Sequence, residues 1–80
     1  MSQKTIHSKA YSLLRQHLVA ARHESGLTQI QLAARLKRPQ SFVAKYENGE
    51  RRLDIIELLE IAAHIHLDVS ATINAVRRRL

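Results

Sequence analysis

Two short helical segments joined by a tight turn constrain the fold of this chain more than any other feature. The first segment ends at Leu36, Lys37-Arg38 form the turn, and Pro39 opens the second segment. The turn is too short for the two helices to pack side by side, so they must cross steeply, as in a helix-turn-helix. The apolar residues expected at the crossing are Leu32, Leu36, Val43 and Tyr46. Burying them leaves an outer side on the second helix made of Gln40, Ser41, Ala44 and Lys45.

Capping residues mark the helices on either side of this pair. Thr28 stands three residues before Gln31, and Asp54 stands three residues before Glu57, which is the spacing of a capping box. Asp68 caps the last helix. We therefore predict an all-α chain folded as a compact five-helix domain.

The expected helices cover about residues 8–23, 28–36, 39–47, 54–65 and 68–79. His66 is expected to end the fourth helix. The apolar stripe of that helix predicts a buried face made of Ile55, Leu58, Leu59, Ala62 and Ile65. Residues 1–7 are expected to form a flexible N-terminal tail and residues 8–80 a single domain.

The composition limits the possible partners. Thirteen Lys and Arg against seven Asp and Glu give a formal charge of +6, which favours a polyanion such as nucleic acid. The absence of cysteine excludes disulfides and thiolate metal sites, and no apolar run reaches the ~20 residues of a membrane span. The first residues lack the apolar core of a secretion signal, so the expected location is the cytoplasm.

Patterns typical of enzymes and metal sites do not occur in the sequence. His64 and His66 are two residues apart, which on a helix points them to different sides. No paired carboxylates, nucleophile-base arrangement or glycine-rich phosphate loop is indicated. We therefore expect neither an enzyme nor a bound metal or cofactor.

A series of short motifs runs through most of the chain. They are Leu27-Thr28-Gln29, Leu32-Ala33, Leu36, Gln40-Ser41, Val43, Tyr46-Glu47-Asn48-Gly49 and Leu58-Leu59-Glu60-Ile61-Ala62. Through them, the stretch from about Tyr11 to Ile73 resembles the phage-repressor-type (XRE-like) helix-turn-helix proteins. Any one motif is common, whereas their joint occurrence is specific. The resemblance implies a lambda-repressor-like fold whose second short helix reads the major groove of DNA.

The resemblance also implies roles for individual residues. Those implied to face base edges are Gln40, Ser41 and Lys45. Those implied to bind DNA phosphates are Gln29, Asn48, Arg51 and Arg52. Arg22 and Glu47 match an ion pair that in this family joins the first helix to the end of the recognition helix. That pair has a structural role.

The turn departs from the family pattern at three residues. Lys37 replaces a glycine, so either it adopts a strained backbone angle or the turn differs slightly. Arg38 replaces an apolar residue and is free to reach phosphate, and Pro39 replaces a Ser/Thr cap without supplying a capping oxygen. Phe42 has two interpretations: contact with a thymine methyl or sugar, or packing over Arg38 or the loop.

The sequence predicts a sequence-specific DNA-binding transcriptional regulator, interpreted as a repressor that binds a palindromic operator as a homodimer. Surplus apolar residues in the C-terminal part predict the dimer contact: Ile56, Ile73, Val76 and Leu80. Two alternatives stay open. One is an antitoxin with a toxin partner, or a restriction-modification controller protein, of the same fold. The other is a protein-interaction module that does not read DNA.

Overall fold

Helices make up most of residues 8–80, the part of the chain that this computed structural model describes. They are α1 (Lys9–Glu24), α2 (Gln29–Leu36), α3 (Gln40–Glu47), α4 (Ile55–Ile65) and α5 (Val69–Arg77). No strand occurs within this range, so the predicted all-α fold with a helix-turn-helix is confirmed. The expected tail, residues 1–7, lies outside the described residues. None of the helices in residues 8–80 combines the length and apolarity that crossing a bilayer requires.

Reciprocal side-chain caps define where α2 and α4 begin. Thr28 Oγ1 accepts a hydrogen bond from the Gln31 amide at 3.1 Å, and the Gln31 side chain accepts one from the Thr28 amide at 2.9 Å. Asp54 and Glu57 form the same pair at α4, with distances of 2.7 and 3.0 Å. Both predicted capping boxes are confirmed, and each satisfies two amides that a helix start leaves unpaired.

The start of α3 lacks such a cap. Pro39 occupies the N-cap position with an extended backbone and makes no side-chain cap hydrogen bond. The helix itself begins at Gln40, one residue later than the sequence predicted. A helix of eight residues is marginal in isolation, so α3 depends on tertiary contacts.

Two helices end at residues with left-handed backbone angles. Lys37 has φ 58° at the end of α2, and His66 has φ 55° at the end of α4. Of the two possibilities left open for Lys37, the strained angle is the one present, and the helix end expected at His66 is also present. Each residue carries a β-carbon in a region that favours glycine, which costs about 1–2 kcal/mol.

The core lies where α2 and α3 pack against α1 and α4. Its most deeply buried side chains are Leu18, Leu32, Val43, Tyr46, Ile61 and Ile65. Ala33 is also buried, and its small side chain allows α2 and α3 to approach closely. Because α3 buries Val43 and Tyr46 in this core, its opposite side is left at the surface.

The predicted buried face of α4 is wrong at two positions. Ile55 is 56% exposed and Leu59 is 47% exposed, whereas Ile61, which was not predicted, is 1% exposed. The face that packs inward consists of Glu57, Leu58, Ile61, Ala62 and Ile65. Apolar residues surround much of this helix, so periodicity alone does not identify the centre of the buried stripe.

The left-handed angle at Lys37 predicts that Lys37→Gly stabilises the fold. Removing the β-carbon relieves about 1–2 kcal/mol of strain, and the greater freedom of glycine in the unfolded chain offsets about 0.5–1 kcal/mol of it. Thermal denaturation should therefore give a higher melting temperature. As a control, Ala34→Gly at an exposed position inside α2 should lower the free energy of unfolding by about 1 kcal/mol. A lower melting temperature for Lys37→Gly would show that the left-handed angle at Lys37 does not strain the fold.

Candidate nucleic-acid interface

The outer side of α3 carries a small group of polar side chains. Gln40, Ser41 and Lys45 are all exposed, while Val43 and Tyr46 on the opposite side are fully buried. At about 100° per residue, positions 40, 41 and 45 lie on one side of the helix. The three residues predicted to face base edges are thus brought together on an accessible surface.

The residues predicted to bind phosphate lie around both ends of α3. Arg38 precedes the helix, and Asn48, Arg51 and Arg52 follow it. Gln29 is the first residue of α2, where the backbone amides of Gln29 and Ile30 have no hydrogen-bond partner among residues 8–80. Unpaired amides at a helix start favour an anion, so this end of α2 is suited to a phosphate oxygen.

A buried ion pair connects α1 to the end of α3. The Arg22 Nε donates to Glu47 Oε2 at 2.7 Å, and the Arg22 Nη2 donates to Glu47 Oε1 at 3.0 Å. The Arg22 Nη1 also donates to the Leu27 carbonyl at 2.8 Å, so the same guanidinium binds the loop before α2. The hydrogen bonds to Glu47 raise the pKa of Arg22 above its usual value, although burial opposes the shift. Arg22 therefore stays charged, and each of its three guanidinium nitrogens donates a hydrogen bond.

A chain of side-chain amides extends from this ion pair to the exposed side of α3. The Gln29 Nε2 donates to Glu47 Oε1 at 2.8 Å, and the Gln40 Nε2 donates to Gln29 Oε1 at 2.8 Å. The family resemblance implied that Gln29 and Gln40 lie at the interface but did not predict this contact, because the two residues belong to different helices. These hydrogen bonds orient the Gln40 side-chain amide. They leave the Gln40 side-chain oxygen and one of its N–H groups available.

Arg15 of α1 was not predicted to take part, yet it contacts the end of α3. Its Nη1 donates to the Glu47 carbonyl at 3.0 Å. A β-carbon on Gly49 would lie 3.1 Å from the Arg15 Cζ, and Gly49 has φ +80°. Glycine at position 49 therefore meets two requirements, a left-handed angle and room for the guanidinium. No local sequence signal could have paired Arg15 with the Asn48-Gly49 turn.

The ring of Phe42 lies beneath two arginines. The Arg38 Cζ is 4.4 Å and the Arg51 Cζ is 4.8 Å from the ring centroid, and Tyr46 makes an edge contact at 5.6 Å. Phe42 is consequently 8% exposed. This is the packing arrangement considered for Phe42, and a contact with a thymine methyl would require the arginines to move.

Glu57 of α4 pairs with the same two arginines. Its carboxylate accepts from Arg51 Nη1 at 3.0 Å and from Nη2 at 2.8 Å, and Arg38 Nη1 lies 3.5 Å away. The hydrogen bonds from Arg51, followed by that from the Asp54 amide, lower the pKa of Glu57 to about 2. The sequence identified Glu57 only as a capping residue, since its partners lie in two separate loops.

The histidines in the described chain form no metal-binding group. Among residues 8–80, no three His, Asp or Glu side chains lie where they could hold one ion together. His17 instead contacts Thr72 Oγ1 at 3.2 Å, which connects α1 to α5.

Comparisons with known proteins agree with this geometry. The Helix-turn-helix family model matches residues 18–71, which include α2, α3 and α4. Among solved structures, the chain is similar to an XRE-family like protein from Pseudomonas syringae pv. tomato str. DC3000. The two are 47% identical with a TM-score of 0.82, over 96% of this chain and 94% of that chain. No match was found among curated proteins.

The burial of the ion pair predicts a large effect for Arg22→Ala. The substitution leaves the Glu47 carboxylate in the interior without its counter-charge, so unfolding should become easier by about 3 kcal/mol. Thermal denaturation should show a melting temperature lower by about 12 °C or more. Arg35→Ala at an exposed position of α2 is the control and should change stability by less than about 0.5 kcal/mol. An unchanged melting temperature for Arg22→Ala would count against the pair.

The lowered pKa of Glu57 predicts a specific part of the acid sensitivity. Its folded pKa of about 2 lies below the usual 4.5, so its contribution to stability is complete above about pH 4.5 and is lost as the pH falls toward 2. Glu57→Gln should therefore lose less stability than the wild type between about pH 5 and about pH 2.5. Glu60→Gln, at an exposed position of the same helix, should keep the wild-type profile. Parallel profiles for Glu57→Gln and the wild type would disprove the assignment.

Proposed function

The chain belongs to the XRE-like helix-turn-helix family and is a DNA-binding transcription regulator, and we propose that it represses transcription at a palindromic operator. The observation that carries this proposal is the exposed polar side of α3, formed by Gln40, Ser41 and Lys45. The ion pair between Arg22 and Glu47 anchors the end of the same helix to α1. A rigidly held helix with free polar side chains is suited to reading the major groove.

Base readout is assigned to the side chains of α3. The Gln40 amide keeps one oxygen and one N–H available, which is the pattern that pairs with adenine, and Lys45 can donate to guanine. A good bidentate pair is worth about 1–3 kcal/mol of discrimination between bases. Ser41 lies beside Gln40 and adds a hydroxyl that can donate or accept.

Phosphate binding is assigned to the residues around α3. The backbone amides of Gln29 and Ile30 at the start of α2 accommodate one phosphate oxygen. Arg38 precedes α3, and Asn48, Arg51 and Arg52 follow it. Such contacts position the protein on DNA without reading its sequence, and they make affinity depend on salt.

A second copy of the chain is proposed to dock through the C-terminal helices. The large apolar residues left exposed on α4, on α5 and at the C-terminal end are Ile55, Ile56, Leu59, Ile73 and Leu80. A groove of about 230 Å³ between them is lined by Leu14, Ile55, Leu58, Ile73, Val76 and Leu80. Burying this surface in a two-fold dimer would remove apolar area from water and set two recognition helices side by side.

Repression by occupying DNA requires no catalytic group, so we propose no enzymatic role. The cytoplasm is the proposed location because the DNA that such a regulator binds is found there in bacteria. A toxin partner or a restriction-modification system would change the regulated genes without changing how α3 contacts DNA.

Selection of bound sites from random duplexes tests the proposal. The enriched sites should contain two inverted half-sites about 34 Å apart, since a two-fold dimer places its recognition helices about one helical turn apart. Sedimentation of the protein with a selected duplex should give two chains per site. Enrichment of a single, unsymmetrical site would contradict the dimer, and absence of any enriched site would contradict sequence-specific binding.

Two variants separate readout from phosphate binding in the same assay. Gln40→Ala should relax the preference at one base position while leaving the salt dependence unchanged. Arg52→Ala, which removes an exposed arginine beyond α3, should weaken binding to all sequences and reduce the salt slope by about one. Unaltered base preference in Gln40→Ala would remove that residue from the reading face.

A further inference from the structure

Arg38 and Arg51 approach each other from opposite ends of α3. One lies in the turn before the helix and the other in the loop after it, yet each guanidinium is within 5 Å of the Phe42 ring centroid, at 4.4 and 4.8 Å. We propose that Glu57 is a positioning residue that holds these two arginines against Phe42 as one phosphate-binding unit. This inference rests on the proposed DNA-binding function and assigns a part of it to a residue of α4.

The planar guanidinium of Arg51 uses one edge to bind Glu57 and keeps a second edge free. Its Nη1 and Nη2 bind the Glu57 carboxylate at 3.0 and 2.8 Å, and Nη1 also donates to the Arg52 carbonyl at 2.9 Å. The remaining N–H groups, on Nε and Nη2, have no partner among residues 8–80. Two adjacent donors on a planar group match two oxygens of a phosphate.

Arg38 is held more loosely by the same carboxylate. Its Nη1 lies 3.5 Å from Glu57 Oε2, the oxygen that Arg51 also binds. Its guanidinium donors make no hydrogen bond within residues 8–80, and its side chain is 38% exposed. Arg38 therefore keeps its donors for a ligand while Glu57 and the Phe42 ring restrict where the guanidinium lies.

Phe42 supplies the link to base readout. Its ring belongs to α3, two residues from Gln40 and three from Lys45. A phosphate held above this ring has a defined position relative to the side chains that face the bases. Glu57 is the one carboxylate paired with both arginines in residues 8–80, so in this proposal it sets where the backbone contact lies relative to α3.

The sign of one substitution separates this role from a purely electrostatic one. Removing the negative charge of Glu57 raises the local positive charge, which on Coulombic grounds should tighten binding to any DNA. Loss of positioning should instead weaken binding to the selected operator, because two mobile arginines must be ordered on binding. The two effects have opposite directions on specific DNA.

Glu57→Gln is the first test, with Glu60→Gln as the matched control on the same helix. Glutamine keeps the size of the side chain and an oxygen for the Asp54 amide, so the cap of α4 is retained. Affinity for an operator duplex and for a random duplex should be measured at one salt concentration. We expect Glu57→Gln to reduce the ratio of the two affinities about fivefold or more, and Glu60→Gln to leave it unchanged. An unchanged ratio for Glu57→Gln would overturn the proposal.

A double-mutant cycle gives an independent test that does not alter Glu57. If Arg38 and Arg51 act as one unit, their effects should not be independent. The fold-loss of affinity in the double variant Arg38→Ala with Arg51→Ala should then be about fivefold smaller than the product of the two single fold-losses. Arg38→Ala combined with Arg52→Ala is the control and should give the product, because the Arg52 side chain contacts neither Phe42 nor Glu57. A double variant whose loss equals the product of the Arg38→Ala and Arg51→Ala losses would refute the claim that the two arginines act together.

Arg51→Lys adds a test of geometry at constant charge. A lysine cannot bind Glu57 and a phosphate with separate planar edges, so the variant should lose operator affinity nearly as far as Arg51→Ala. Wild-type affinity in Arg51→Lys would show that charge alone suffices and overturn the inference. Absence of salt-dependent DNA binding by the wild type would overturn the proposed function as well, whereas DNA binding with independent arginines would overturn only this inference.

Discussion

The ion pair between Arg22 and Glu47 determines where α3 lies, and the interface is built on that position. Withdrawing a charge from water costs several kcal/mol unless the charge is paired and its hydrogen-bonding groups are satisfied. Here the guanidinium makes two hydrogen bonds to Glu47 and one to the Leu27 carbonyl. An arrangement of α1, α3 and the intervening loop that moved any of these groups would leave a buried charge incompletely paired. The pair thus acts mainly as a constraint on geometry.

Glu47 also connects this constraint to the surface. The oxygen that binds Arg22 Nη2 accepts from Gln29 as well, and Gln29 in turn accepts from Gln40. A side chain on the outer side of α3 is therefore oriented by hydrogen bonds that lead back to a buried carboxylate. Gln40 needs less ordering when it meets a ligand than a free glutamine would, which lowers the entropic cost of binding.

The two buried glutamates of the interface have parallel roles. Glu47 is the last residue of α3 and pairs with a buried arginine, whereas Glu57 belongs to α4 and pairs with partly exposed arginines. In both cases a buried carboxylate binds polar or cationic side chains that extend to the surface, namely the glutamines at Glu47 and the arginines at Glu57. The net charge of +6 gives a general attraction to polyanions, while Glu47 holds a chain of glutamine amides and Glu57 pairs with two arginines at the surface.

Much of the fold could be predicted because its signals are local. The boxes at Thr28 and Asp54 specify helix starts through residues three positions apart. The family resemblance supplied the pairing of Arg22 with Glu47, which periodicity alone would not have indicated. The predicted face of α4 was wrong at Ile55 because a mostly apolar helix does not reveal which stripe packs inward.

Local sequence therefore set the number of helices, their approximate boundaries and the polar side of α3, because caps and turns act over three or four residues. The packing of the helices decided that Gln29 would bond Gln40, that Arg15 would lie against Gly49, and that Glu57 would gather two arginines over Phe42. These contacts join different helices and loops. Their geometry exists only once the helices have crossed at specific angles and registers, which short-range periodicity does not encode.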